Sequence, residues 1–412
     1  MSSSRVESSR VAPPAGVPQV VLKPRRAQPF FGRHPWVFAG AIARTPAGLN
    51  PGDEVALVSD QGEFIARGLF NPHSAIRVRL FSWQPEVALD DDFWRIRLEQ
   101  AITLRRDRLG WWGPQTGCRL VFSEADGLSG LIVDRYGDWL LLQCTSLALY
   151  QRRELVVNLL RELVQPRGIW LRTEKGIREA EGLETADHLL WGEPPPRPLW
   201  ITENSLSFAV DVVEGQKTGF FLDQRVNRQA FVPLLVPGRL LDVCCFSGGF
   251  ALNAARDPRI TQVVGVDVSA AALEFARRNA EENRLSDRIE FRKGDAFKTL
   301  ESLVSAGERF ANIVLDPPKL ARHGAGVDEA LRGYHGLNRL ALELMEPGGF
   351  LVTCSCTGHV SRAQFEEVLG RAAHSARRRV QILDSRGPSP DHPVDANCPE
   401  SAYLKCVFAR VL

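Results

Sequence analysis

From about Trp200 to its end the chain alternates apolar runs with helical segments, and nothing else in the sequence constrains its fold as tightly. GRLLDVCCF, QVVGVDV, RIEFRKGDAF, FANIVLDPP and GGFLVTCSC read as strands, while GGFALNAAR, AAALEFARRNAEEN and a stretch from about Asp328 to Met345 read as helices. Strands separated by helices pair in parallel, because each crossover lays a helix on a face of the sheet. The fold class is therefore α/β. In open sheets of this kind ligands bind beyond the carboxyl ends of the strands, so the chemistry is sought in the loops that follow them.

The first strand end, LLDVCCFSGGF (Leu240 to Phe250), passes from Asp242 through two cysteines to Ser247, Gly248 and Gly249, where glycine lets the backbone turn tightly before a helix. Alternation along a strand would send Cys244 and Cys245 to opposite faces, which is poor geometry for a shared metal or redox site. The second strand ends in Asp267, placed where a carboxylate can accept both hydroxyls of a ribose. The third ends in GDAF, where Asp295 and the amide of Ala296 can read adenine and Phe297 can pack on the ring. Three consecutive acidic or glycine-bearing strand ends argue against coincidental turns. The glycine turn is too short for the pyrophosphate of a dinucleotide, so NAD fits less well.

The fourth end, NIVLDPPK, holds Asp316 ahead of two prolines, which fix the backbone and lack an N–H. Lys319 stands where an enzyme modifying an exocyclic amine would place an aromatic residue. The fifth, LVTCSCTG, carries Cys354 and Cys356 on one side of a strand and Ser355 on the other. A thiolate there can add to C6 of a pyrimidine and make C5 nucleophilic enough to take a methyl group, with Asp316 holding the N3/N4 edge of a cytosine. The alternative is that both cysteines are small buried hydrophobes.

At 412 residues the chain is longer than one ordinary domain. Residues 1–18 are rich in Ser, Pro and Arg and read as a disordered tail. Residues 19–87 hold short β segments split by Gly, Pro and Asp, the pattern of a small β-barrel. Between residues 19 and 85 eight Lys or Arg face four Asp or Glu, so positive charge gathers at this end of a chain whose net charge is only +2. KPRRAQPFFGRHPWVF mixes Lys23, Arg25, Arg26, Arg33 and His34 with Phe30, Phe31 and Trp36, a combination suited to phosphate contact and base stacking. RNA is the expected partner, and a solvated basic edge beside core aromatics is the alternative. Residues 88–195 form a small central α/β region opened by DDFWRIRLEQAITLRRDRLG, whose arginines read as a solvated helix face. PPPRP (Pro194 to Pro198) reads as a linker to residues 196–412. Eight irregularly spaced cysteines make neither a disulfide framework nor a metal site. No apolar run approaches ~18 residues and no signal segment opens the chain, so the expected compartment is the cytoplasm and no membrane partner is expected.

The strand ends together resemble the class I S-adenosylmethionine-dependent methyltransferases, which hold no pyrophosphate. More closely, VEGQKTGFFLDQR (Val213 to Arg225), LLDVCCFSGGF, VDVS, GDAF, LDPPK, TCSCTG and DHPVDANCPESAYLK (Asp391 to Lys405) resemble the bacterial 23S ribosomal RNA cytosine-5 methyltransferase family known as large-subunit methyltransferase I. The resemblance implies a PUA-type RNA-binding domain, a central α/β domain and a Rossmann-like methyltransferase domain. It implies S-adenosylmethionine as cofactor and 23S ribosomal RNA, naked or in an assembling subunit, as partner, and is compatible with a homodimer. It places Lys217, Thr218, Phe220, Asp223, Gln224 and Arg225 over the methionine end of the cofactor. Asp242 with Ser247, Gly248 and Gly249 would lie under that end, Asp267 at the ribose, Asp295 and Ala296 at the adenine, Asp316 nearest the methyl donor and base, and Cys356 would be the nucleophile. Two features depart from cytosine-5 methyltransferases of the two-cysteine type: Lys319 replaces the second cysteine, and Cys354 is an additional thiol. An N-methyltransferase acting on a guanine of RNA, and a non-catalytic RNA-binding protein, are the other readings.

Overall fold

The computed structural model describes residues 11–215, 219–321 and 326–412, without the side chain of Lys175. They form two compact units. The first comprises the described part of Met1–Pro114 with Cys118–Pro195 and Pro393–Pro399, and the second comprises Gln115–Gly117, the described parts of Pro196–His392, and Glu400–Leu412.

The first unit contains two sheets. Strands β1 (Gln19–Leu22), β2 (Trp36–Phe38), β3 (Ile42–Arg44), β4 (Glu54–Val58), β5 (Phe64–Phe70) and β6 (Ile76–Ser82) pair in the order β2-β6-β5-β4-β1-β3. Every residue of β5 is buried, and Gly68 lies so close to β6 that a Cβ would come 2.5 Å from the Arg79 carbonyl. The tail differs from expectation where it is described. The carbonyls of Val11 and Pro18 accept from the amides of Phe64 (2.9 Å) and Ala56 (2.8 Å), so this segment is tied to the sheet. Residues 1–10 lie outside the described residues.

The second sheet of this unit runs β11 (His188–Gly192), β10 (Gly168–Leu171), β9 (Trp139–Cys144), β8 (Leu131–Tyr136), β7 (Gly117–Phe122). The helix Asp91–Thr103 begins where the Asp90 side chain accepts from the Phe93 amide (3.0 Å), with Asp91 and Asp92 in its first turn. The arginines of this helix and of the π-helical turn Leu104–Arg108 that continues it are not one solvated face. Arg105 is fully buried, paired with Asp126 at 2.7 Å and donating to the Arg119 carbonyl at 2.9 Å. A carboxylate two strands' length away in sequence decides its burial, which helical periodicity cannot reveal. Arg79 of β6 is likewise buried between Glu124 (3.3 Å) and Glu181 (3.2 Å), and Glu181 also accepts from Asn71 and Ser74. Removing one member of such a network would strand a buried charge, so it ties β6 to the turn Ser123–Asp126 and the helix Lys175–Glu181.

The second unit opens with the hairpin β12 (Leu199–Glu203) and β13 (Leu206–Val210). A seven-stranded sheet follows, made of β14 (Gly238–Val243), β15 (Ile260–Asp267), β16 (Ile289–Lys293), β17 (Phe310–Leu315), β18 (Met345–Ser355), β19 (Val380–Arg386) and β20 (Lys405–Val411). Its order is β16-β15-β14-β17-β18-β20-β19. From β14 to β17 the chain reverses its direction of growth across the sheet, and both strands run parallel. The α/β expectation is borne out: the five expected strands are β14 to β18, all parallel, with the antiparallel β20 inserted between β18 and β19. The crevice at such a reversal, beyond the carboxyl ends of the strands, is where ligands bind. Leu241, Val243, Ile313, Leu315 and Leu351 are buried against the helices Val327–Leu344 and Arg362–Ser375, so the strand ends rest on a closed apolar core. No helix among the described residues is long and apolar enough to cross a membrane.

Candidate active site

β14 stops at Val243 rather than running on through Cys245. Cys244 takes a left-handed conformation (φ 64°), as do Phe246 (φ 51°) and Gly248 (φ 84°), and these turns wind the chain into the helix Gly249–Ala255. Glycine suits 248, because an L side chain there would be strained at this φ and its Cβ would come 2.6 Å from Leu252 Cδ1. Cys245 is buried, with its sulfur beside Gly265 of β15, while Cys244 packs on the apolar core. Burial pushes both thiols upward, and the neighbouring carboxylates push the same way, so neither is a reactive thiolate.

Asp242 is 1% exposed, and its Oδ2 accepts from the Ala251 amide at 2.9 Å, tying β14 to the first turn of that helix. Its Oδ1 and the Ser247 hydroxyl are buried without a partner among the described residues. Burial, with the negative charge of Asp316 next in weight, pushes the Asp242 carboxyl up to about 8. Asp267 accepts from the amides of Phe246 (2.9 Å) and Ser269 (2.8 Å), so one carboxylate sets the loops after β14 and β15 together. Asp295 is exposed and caps the helix Ala296–Ser305 through the Lys298 amide (3.1 Å). Phe297 is half-buried, with its ring edge against Gly336 of the helix Val327–Leu344. Val268 instead is 68% exposed, directly after Asp267.

Of the segment expected over the methionine end, Lys217 and Thr218 lie outside the described residues. Phe220 is a core side chain, its ring tilted against Phe208 with centroids 5.0 Å apart and lying beneath Arg228, which is itself buried on Glu203 (2.6 Å). Arg225 is also buried, its guanidinium engaged by Glu203 (3.5 Å) and the Gly117 carbonyl. Asp223 and Gln224 face the strand ends. The Asp223 carboxylate accepts from the Tyr403 hydroxyl at 2.5 Å. Gln224 Nε2 donates to Asp316 Oδ2 at 3.1 Å and to Cys354 Sγ at 3.4 Å, while its Oε1 accepts from Asn227 at 2.7 Å. That third bond fixes which way the amide points.

The two cysteines of TCSC separate sharply. Cys354 lies within β18, fully buried opposite Cys406 of β20, and burial followed by contact with Cys406 pushes its thiol well up. β18 ends at Ser355, so Cys356 falls just beyond it, half-buried, with Sγ 3.9 Å from the Pro317 carbonyl that it faces as donor. The structure thus brings Asp316, Pro317, Gln224 and Cys356 to neighbouring strand ends. Sequence reasoning missed Lys405, buried at the start of β20, where Ser355 is its cross-strand partner. Its only sequence signal was a lysine closing the motif ESAYLK.

Comparison with known proteins gives this geometry its setting. The description of a PUA-like domain matches residues 20–83, and that of an S-adenosylmethionine-dependent methyltransferase matches residues 180–404. A protein of Erwinia tasmaniensis named ribosomal RNA large subunit methyltransferase I is 37% identical over 395 residues, covering 96% of this chain and 99% of its own. The chain belongs to that family. Relatives of the same name from Klebsiella pneumoniae and Escherichia coli are also 37% identical, each over 96% of this chain. A solved structure from Streptococcus mutans, described as a SAM-dependent methyltransferase, superposes with a TM-score of 0.81 over 96% of this chain and all of its own, at 20% identity. Another, a methyltransferase complexed with SAH, gives 0.82 over the same shares. At that identity the likeness shows the fold, and the family membership makes the chain an S-adenosylmethionine-dependent methyltransferase.

Proposed function

We propose that this chain methylates C5 of a cytidine in ribosomal RNA of the large subunit, 23S RNA, through a covalent adduct of Cys356 to C6 of the base. The observation that carries this reading is the division of labour between the two thiols: Cys354 is sealed inside β18, while Cys356 is half-exposed past its end, against the Asp316–Pro317 loop. Relatives named for ribosomal RNA and a PUA-like match over residues 20–83 support RNA as the substrate class. Phe31 and Phe38 are 42% and 48% exposed beside Arg25, Arg26 and Arg33, a surface able to stack bases and contact phosphate. Trp36 is half-buried, and its indole N–H donates to Glu124 at 2.9 Å.

The residues of the crevice fit S-adenosylmethionine. The partnerless Asp242 Oδ1 and Ser247 Oγ are buried polar atoms that a ligand's ammonium and carboxylate would satisfy. Asp267 would accept the ribose hydroxyls, and the exposed Val268 would cover the adenine face in place of Phe297. Asp295 and the Ala296 amide would meet the adenine edge, and Asp223 and Gln224 would close the methionine end. When bound, the cofactor supplies an electrophilic methyl group. Cys356, as thiolate, forms the S–C6 bond and pushes the electron pair of the base toward C5. Asp316, held by Gln224, orients the N3/N4 edge. Loss of the C5 proton to a base and expulsion of the thiolate restore the ring and the enzyme. The target cytidine leaves its stack to reach the crevice.

RNA carrying 5-fluorocytidine tests the reading, because fluorine at C5 blocks that last elimination. A covalent complex mapping to Cys356 is the expected outcome. Methylation of a purine in native ribosomal RNA, with no adduct, would sink the cytosine chemistry and favour a guanine N-methyltransferase.

A further inference from the structure

Lys405 is 3% exposed, and its Nζ donates to the carbonyls of Thr357 (2.7 Å) and Tyr403 (2.8 Å). An ammonium has three donors, so one remains. Among the described residues no carboxylate pairs with it. The charged groups that act on it are Cys356 beyond the end of β18, Arg362 at the start of the helix Arg362–Ser375, and Lys319 in the loop after β17. Two of the three are cations. Burying a lysine without an anion is unfavourable, and burial first of all, with the exposed Arg362 and Lys319 acting in the same sense, lowers its pKa to about 8. The group that acts in the opposite sense is Cys356. The backbone makes this neighbourhood permanent. Ser355 and Lys405 are cross-strand partners, and the carbonyl that Lys405 holds belongs to Thr357, the residue after the thiol.

We propose that Lys405 is the counter-cation of the Cys356 thiolate, a positioning residue that holds the nucleophile ionised and fixes the peptide that carries it. The inference rests on Cys356 as the nucleophile and extends it. In the ionisation, the S–H proton leaves to solvent and the electron pair stays on sulfur facing the ammonium, so the thiolate forms where neutral surroundings would oppose it. Attraction between the two charges also keeps Lys405 protonated, which explains how a buried lysine is tolerated at this point in the sheet. Lys405 touches neither base nor cofactor in this role.

The experiment is the pH profile of Cys356 alkylation by iodoacetamide in the full-length protein, read by mass spectrometry of the peptide that carries it. In Lys405→Met the profile moves to higher pH by about one unit, which is a roughly tenfold slower alkylation at neutral pH. Lys405→Arg keeps the charge and lies nearer the wild type. A Lys405→Met protein that retains its unfolding midpoint and shows an unchanged profile overturns the proposal. A second measurement needs no Lys405 variant: thiolate absorbance of the wild type minus that of Cys356→Ser, titrated with base. Half-titration below the ordinary thiol value of about 8.5 supports the pairing, and half-titration at or above it overturns it. Failure here is distinct from failure of the cytosine reading. A fluorocytidine adduct with a Lys405-independent profile refutes only the ion pair, and a Lys405-dependent profile without an adduct refutes only the pyrimidine chemistry.

Discussion

At the ends of β14 and β15, Asp242 and Asp267 are held by backbone amides, those of Ala251, Phe246 and Ser269. At the ends of β17, β18 and β20, side chains hold side chains: Gln224 spans Asp316 and Cys354, and Lys405 stands near Cys356. The first half of the sheet stores its geometry in the main chain, where it survives many side-chain changes but not a change of backbone freedom. The second half stores it in charges and dipoles, where one atom can end the reaction without disturbing the fold. A binding surface for a constant cofactor suits the first arrangement, and a reaction that needs a group ionised suits the second.

The largest effect is expected at Cys356, the proposed nucleophile. Cys356→Ala is expected to lower methyl transfer on the order of 10³-fold or more while leaving cofactor binding by calorimetry unchanged. Cys354→Ala, one side chain pair away, is expected to keep most of its turnover and to lose about 1–2 kcal/mol in urea unfolding, since it removes a buried sulfur. If the two variants exchanged these outcomes, the assignment of the thiols would be reversed. The backbone half is tested by Gly248→Ala, which forces a Cβ against Leu252 at a left-handed φ. It should cost about 1–3 kcal/mol of stability and weaken S-adenosylmethionine binding, with no specific effect on Cys356 alkylation.

A subtler test uses Asp242. Its carboxyl lies at about 8 in the folded protein against an ordinary 3.8, so between these values the folded state holds a proton that the unfolded state has lost. Its contribution to stability is therefore full at low pH and falls as pH rises through that window. Denaturant unfolding of the cofactor-free protein between pH 5 and 8, with Asp242→Asn as control, should show this slope in the wild type and a flatter line in the variant. Addition of S-adenosylmethionine should reduce the slope, because an ammonium beside Asp242 favours the ionised form. An identical slope in both proteins would remove Asp242 from the account.

Much of this was legible in the sequence. The apolar runs of β14, β17 and the second half of β18 are buried on both faces and read as continuous hydrophobic strands, so their alternation with helices carried the fold. The acidic residues could be named because each lies at or within two residues of a strand's carboxyl end. The helix Arg153–Val164 and the hairpin β12–β13 were passed over, being local elements without a motif. Arg105 and Phe220 were hard to place for a common reason: each is buried by a partner outside its own segment, Asp126 and Phe208 respectively. Lys405 was invisible in its role because nothing local shows that β20 lies beside β18.

The place of β20 bears on how the enzyme comes into being. It follows β18 and β19 in sequence yet lies between them in the sheet. During synthesis those two strands emerge with a gap that only the later segment can close. Until it does, Cys354 lacks its cover, and Cys356 lacks the lysine proposed as its counter-cation. On that proposal, competence for methyl transfer would be acquired only when β20 closes the gap, and a partly made chain would carry no activated thiol.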